Sequence, residues 1–419
     1  MPAILVISNN DGGKCFHYFY VINQALDKMD RVKTQTTTFS DSKSHYQILD
    51  ALRGIAALTV VAFHLLETFT NGDHSKQIIN HGYLAVDFFF VLSGFVIGHA
   101  YDDRWGKMTL GGFFKRRLIR LHPMIIVGMT IGAIAFYFQA APSVFPNISA
   151  TPVWKMILVM LIGYTLIPVP QSLDIRGWGE MHPLNGPAWS LFFEYIANIL
   201  YALFVRRFSN TVLAVLVFLA GGLLIHMAVT SPNGDVIGGW SLEPAQFRIG
   251  ITRLMYPFFA GLLVSRLFKP GHINNAFLWC GLLLLTVLAF PRVGTADQLW
   301  INGLYDSLSI IFLFPLIVYL GASGTVKGKS SLRLSRFLGD ISYPIYIIHY
   351  PLIYMYTAWV ANHHPSLPQA FAVGVAAFFA AILIAYGCLK LYDIPVRKWL
   401  TQRYMPAKAT TSSKEKSLV

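Results

Sequence analysis

Eleven apolar runs constrain this chain more than any other feature. They fall near residues 46–69, 82–100, 121–140, 154–168, 188–205, 211–230, 250–268, 276–290, 300–320, 341–361 and 370–392. Most hold about 20 residues, enough for a helix to cross a hydrocarbon layer roughly 30 Å thick, and each is bounded by polar or Pro/Gly-rich punctuation. Only 13% of the residues are charged, too few to solvate a globule of 419 residues. The expected fold is an all-α polytopic membrane domain.

Cations set its expected orientation, because Lys and Arg mark cytoplasmic loops. Arg104, Lys107, Lys115, Arg116, Arg117 and Arg120 follow the second run, Arg206 and Arg207 the fifth, and Arg266 and Lys269 the seventh, with further cations at 327–336 and 397–403. All can share one side only if an odd number of crossings separates residue 120 from residue 187. The expectation is therefore ten transmembrane helices with both termini cytoplasmic, and 154–168, which is short and begins at Lys155, re-entrant or lying at the surface. Eleven crossings, with one terminus or one arginine cluster outside, is the alternative. Residues 1–44 lack the ordered parts of a secretory signal and read as a poorly ordered cytoplasmic tail. Residues 45–402 read as the transmembrane domain and 403–419 as a second cytoplasmic tail.

A net charge of +13 raises the question of nucleic acid. The basic residues are dispersed among short loops and form no nucleic-acid-binding module, so the expected partner is the lipid bilayer and not nucleic acid. Cys15, Cys280 and Cys388 lie far apart, without a CxxC pair or a histidine companion, so neither a disulfide framework nor a metal site is expected.

Within the first run, RGIAALTVVAFH (53–64) encloses ten uncharged residues between Arg53 and His64. Eleven helical steps cover roughly 16 Å and return to nearly the same face, so both side chains line one stripe. Ionisable groups at membrane depth face a bundle interior or a wet cavity and mark function by default. The alternative has Arg53 reaching the interface and His64 bonding a neighbouring helix. In VDFFFVLSGF (86–95), an antiparallel hairpin brings Asp87 level with His64. A carboxylate there fixes the imidazole tautomer and raises its basicity, or else Asp87 caps or cross-links helices. Ser93 and Gly94 read as a close-packing site, or Ser93 as a nucleophile. In FFKRRLIRLHP (113–123), Arg116, Arg117 and Arg120 either bind phosphate in fork geometry or anchor the inner face.

Together these segments resemble the membrane-bound acyltransferase 3 family, enzymes of bacterial type that move acyl groups, most often acetyl, onto cell-surface sugars and related molecules. The resemblance spans roughly 46–400 and rests on ordered elements: Arg53-x10-His64, VDFFFVLSGF, the RxxR pair Arg117 and Arg120, WSLFFE (189–194) and SYPIYIIHYP (342–351). Ala85, where glycine is common, and Ala197 and Asn198, where an aromatic pair is usual, depart from the pattern. Some larger relatives carry an extracellular hydrolase-like domain, and this chain reads as the membrane module alone.

The resemblance implies acyl-CoA, acetyl-CoA foremost, as co-substrate, with no permanently bound cofactor. Its implied site has His64 as general base or acyl carrier, aided by Asp87 and Arg53. Arg116, Arg117 and Arg120 would hold the donor phosphates, with Ser93 and His349 as further donor contacts, although His349 reads equally as a packing residue. A glycan or glycolipid acceptor would meet MHPLNGPAWSLFFE (181–194), where Trp189 offers a flat face and Asn185, Ser190 and Glu194 offer hydrogen bonds. Trp189 also suits an interfacial belt. The implied location is the bacterial inner membrane. A proton-coupled transporter is the rival reading; transporters commonly carry paired repeats, and the C-terminal half holds no second copy of the Arg-x10-His or RxxR features.

Overall fold

The computed structural model describes residues 45–405 except 71 and 270, so the expected tail at 1–44, and the other beyond 405, lie outside the described residues. Among the described residues there are α-helices and short 3-10 and π turns but no strand. In chain order the helices are α1 (Gln47–Thr70), α2 (Ala85–Tyr101), α3 (Leu110–Ala135), α4 (Val153–Tyr164), α5 (Ala188–Leu203), α6 (Asn210–Val229) and α7 (Pro244–Leu267). There follow α8 (Ala276–Ala289), α9 (Trp300–Leu308), α10 (Phe314–Ala322), α11 (Lys329–His363), α12 (Leu367–Cys388) and α13 (Ile394–Tyr404).

Seven helical stretches among the described residues are long and apolar enough to cross a membrane. They include α1, α6 and α7, the continuous stretch Trp300–Ala322 and the stretch Leu367–Tyr404. Three apolar helices, α4, α5 and α8, are shorter. With 12 residues, α4 is about 18 Å long and falls well short of the hydrocarbon thickness. At 35 residues α11 has ample length, but its middle is tyrosine-rich and carries His349.

Two glycine-lined crossings organise the bundle. A Cβ on Gly54 of α1 would strike the backbone carbonyl of Leu338 on α11. Gly94 of α2 and Gly261 of α7 likewise face backbone, at Phe258 and Val91 respectively. Small residues permit this approach, and close packing drives helix association where lipid removes the hydrophobic effect. One apolar cluster lies between α1, α2, α8 and α10, a second between α1, α3, α11 and α12, and a third between α2, α5 and α7.

Proline supplies the remaining ties. Pro351 lacks an N–H and so leaves the carbonyl of Ile347, four residues back in α11, without a helical partner. Asn185 Nδ2 donates to that carbonyl at 2.9 Å, and Gln139 Nε2 donates to the carbonyl of Pro351 at 3.0 Å. The loop before α5 is thereby pinned to the middle of α11. A π turn, Leu389–Asp393, joins α12 to α13 and sets Leu389 and Asp393 against a cavity near Arg53.

Candidate active site

Two cavities lie along α1 and share part of their walls. The cavity at Arg53 holds about 520 Å³ and the one at His64 about 660 Å³. Val86 of α2 and Tyr346 of α11 line both. The Tyr346 hydroxyl and Ser190 Oγ are 2.6 Å apart, which holds the tyrosine at the boundary.

In the larger cavity His64 Nδ1 donates to Glu67 Oε2 at 2.7 Å, and His74 Nε2 donates to the other oxygen at 2.8 Å. An imidazole whose Nδ1–H is tied to a carboxylate presents a lone pair on Nε2. Nε2 of His64 is thus the nitrogen left for chemistry. The ring is fixed by stacking on His349, with centroids 5.8 Å apart, and by the Tyr350 ring, 4.9 Å away and nearly perpendicular. Trp178, Trp189, Trp240 and Tyr354 add aromatic wall.

Glu180, in the loop before α5, also lines this cavity. The Tyr354 hydroxyl donates to its two oxygens at 2.6 and 2.7 Å, and Arg176 Nε stands 3.6 Å off. Burial pushes the Glu180 carboxyl up to about 7, against the opposing pull of Arg176 and the Tyr354 hydroxyl.

The Arg53 cavity is ionic. It is lined by Arg53, Arg117, Arg120, Arg336 and Arg397, interleaved with Asp50, Glu194, Asp340 and Asp393. Arg53 pairs with Asp50 at 3.1 Å and Arg397 with Asp393 at 2.8 Å. Arg117 donates to Glu194 Oε1 at 2.6 Å, an oxygen that also accepts from Ser93 Oγ at 2.8 Å.

Several expected placements change. Asp87 does not meet His64; it forms a two-pronged pair with Arg253 of α7 at 3.1 and 2.6 Å, both residues being buried. The reason is the α2–α7 crossing: Asp87 precedes Gly94 by seven residues, hence occupies the same helix face, and that face is packed on α7. Arg253 also donates to the carbonyls of Tyr83 and Gly238 and lies 5.4 Å from the Trp189 ring centroid. Ser190 and Glu194 line the Arg53 cavity instead of joining Trp189 at His64. Asn185 is tied to α11 through Nδ2 and is on neither cavity's lining; His349 lies behind His64, its Nδ1 donating to the carbonyl of Ile345 at 3.1 Å. Arg117 and Arg120 reach the cavity lining, whereas Arg116 does not.

Sequence reasoning passed over Glu67, His74, Glu180, Tyr354 and Arg253. Only Glu67 carried a local signal, since it sits three residues after His64 on the same helix and i,i+3 side chains are neighbours.

The family model described as "Acyltransferase domain" matches residues 46–388. "Protein 2 in picA locus" of Rhizobium radiobacter is 35% identical over 161 residues, 37% of this chain and 80% of that protein. "O-acetyltransferase OatA" of Staphylococcus aureus is 24% identical over 364 residues, 84% of this chain but only 57% of the relative's length. "Acyltransferase MdmB" of Streptomyces mycarofaciens is 25% identical over 325 residues, 73% of this chain and 78% of that protein. No solved structure matches. With several apolar helices of spanning length and a family match over most of its residues, the chain belongs to the acyltransferase domain family as a multi-pass helical membrane protein.

Proposed function

We propose that the protein is a membrane O-acyltransferase that carries a short acyl group, acetyl foremost, from cytoplasmic acyl-CoA to a hydroxyl of a cell-envelope or exported glycan. In this reading the chain crosses a bacterial inner membrane ten times with both termini inside. The arginine cavity takes the donor's phosphates, and the aromatic cavity takes the acceptor. The observation that carries the reading is the pair of cavities meeting at Val86 and Tyr346, with guanidinium groups in one and an oriented imidazole in the other. The roughly 16 Å of helix between Arg53 and His64 suits an extended thiol arm.

In the proposed step, His64 Nε2 takes the proton of the acceptor hydroxyl while its oxygen bonds to the thioester carbonyl carbon. The C–S bond then breaks, and the imidazolium returns the proton to the departing CoA thiolate. Glu67 stabilises the imidazolium in between, as an orienting carboxylate does in a nucleophile–base–acid array.

The test is acceptor-dependent release of CoA thiol from acetyl-CoA by protein in lipid nanodiscs, comparing wild type with His64→Ala. Release by wild type and none by the variant supports the reading. Equal rates remove His64 from the reaction, and no release from any acyl-CoA sends the function elsewhere.

A further inference from the structure

Two acids line the His64 cavity, Glu67 and Glu180. Glu67 is committed to two imidazoles. Glu180 is not comparably engaged, although it is only 5% exposed. Its two oxygens share the single hydroxyl proton of Tyr354. The adjacent guanidinium is turned to other acceptors: Arg176 Nε donates to the carbonyl of Pro183 at 2.9 Å and Nη2 to Gln139 Oε1 at 2.8 Å, while Nη1 has no hydrogen-bond partner. A carboxyl group offers about four lone-pair sites, so Glu180 keeps unused accepting capacity at a cavity wall, where an unmet hydrogen bond is expensive.

The surroundings keep that corner in place. The Arg176 guanidinium carbon lies 3.5 Å from the Tyr354 ring centroid, which fixes the tyrosine. A Cβ at Gly186 would approach Glu180 Oε1 to 2.7 Å and the Tyr354 hydroxyl oxygen to 2.8 Å, so glycine there leaves room beside the carboxyl. Trp178 and Tyr350 flank Tyr354 with aromatic surface. Flat aromatic walls and a carboxyl with unused accepting oxygens complement a ring that is apolar on its faces and bears hydroxyls at its edge. The Tyr350 ring lies between the two polar points, its centroid 4.9 Å from that of His64 and 4.6 Å from that of Tyr354.

We propose that Glu180, held by Tyr354, is an acceptor-binding residue that receives a hydrogen bond from a second hydroxyl of a polyhydroxylated ring acceptor while another hydroxyl is acylated at His64. The inference rests on the acyl-transfer reading above and narrows its acceptor to polyols over monohydroxy compounds.

The experiment measures kcat/KM with acetyl-CoA for methyl glucopyranoside and for cyclohexanol, in nanodiscs, for wild type, Glu180→Leu and Glu180→Gln. The ratio of the two is unaffected by the fraction of folded protein. The expected result is a preference for the glucoside that falls about tenfold in Glu180→Leu, as for one lost buried hydrogen bond. Glu180→Gln, which keeps an accepting oxygen, should recover much of it. A ratio within twofold of wild type in Glu180→Leu overturns the inference and leaves the acyltransferase reading standing. If Glu180→Leu does not fold, monodeoxy glucosides on wild type decide: a tenfold loss at one position that is not acylated supports the subsite, and no loss above twofold at any such position overturns it. Transfer by wild type to neither probe, from acetyl-CoA or from any other short acyl-CoA, overturns the function and this inference together.

Discussion

Glu67 Oε2 lies 2.7 Å from His64 Nδ1, one turn further along the same helix. Because both groups ride on α1, their geometry does not depend on how neighbouring helices settle. Replacing the carboxylate by an amide keeps the shape and removes the charge that stabilises an imidazolium. Glu67→Gln should therefore lower kcat by about 10²- to 10⁴-fold with little change in KM for acyl-CoA. His74→Ala, which leaves the His64–Glu67 bond intact, should lose about tenfold or less by the same logic. Steady-state kinetics on both variants check the order; equal losses would show that Glu67 and His74 act as one unit.

Arg117 and Glu194 bind each other on the wall of the arginine cavity. This location shifts the expected effect of Glu194→Ala from the acceptor to the donor. The variant frees Arg117 from its partner and releases Ser93, so it should alter KM for acyl-CoA while leaving KM for the acceptor within about twofold, a change of under ~0.5 kcal/mol. Arg117→Ala should raise KM for acyl-CoA by about tenfold, the loss of one charge-assisted contact. A change confined to the acceptor KM in either variant would return Glu194 to the other cavity's chemistry.

The helical architecture and the Arg53–His64 stripe were legible because each depends on one periodicity: apolar length for the first, 100° per residue for the second. Of the two readings of Asp87, the structure shows the helix cross-link and not the approach to His64, and the sequence left the two open for a different reason. Placing Asp87 beside His64 requires the rotation of α2, which Gly94 and Gly261 fix by bringing α2 onto α7, and no single-helix pattern records that. Glu180 was invisible because residues 165–187 follow no repeating period. Its position comes from contacts with Tyr354 and Arg176, the first on α11 and the second in the same loop.

Glu180 also gives stability a pH dependence. Its carboxyl titrates near 4.5 in an ordinary setting and near 7 when buried in the folded protein. The folded state therefore favours the protonated form. Its stabilising contribution is complete below the ordinary value and is lost as pH rises to about 7, on the order of a few kcal/mol. Melting temperature in detergent should accordingly fall between about pH 5 and pH 7 in wild type and fall less in Glu180→Gln, which cannot ionise. Parallel curves for the two proteins would assign the slope to other groups.

Asp87 and Arg253 form an ion pair with side chains 0% and 2% exposed, linking α2 to α7. Such a pair need not be stabilising relative to apolar residues, because both charges were taken out of water to make it. Removing one partner is another matter, since the survivor is then a buried and unmatched charge. Asp87→Leu and Arg253→Met should each destabilise by about 3–5 kcal/mol. The double variant Asp87→Leu with Arg253→Met should cost markedly less than either single change, the sign of coupling that a double-mutant cycle isolates. Thermal unfolding of the four proteins in one detergent checks this, and additive losses would refute the coupling. Activity should not return with stability in the double variant. Arg253 also lies against Trp189 and lines the His64 cavity, so a methionine there restores packing between the helices without restoring the guanidinium that holds the tryptophan face. Recovered stability with depressed acceptor turnover would separate the pair's part in the fold from its part in the site.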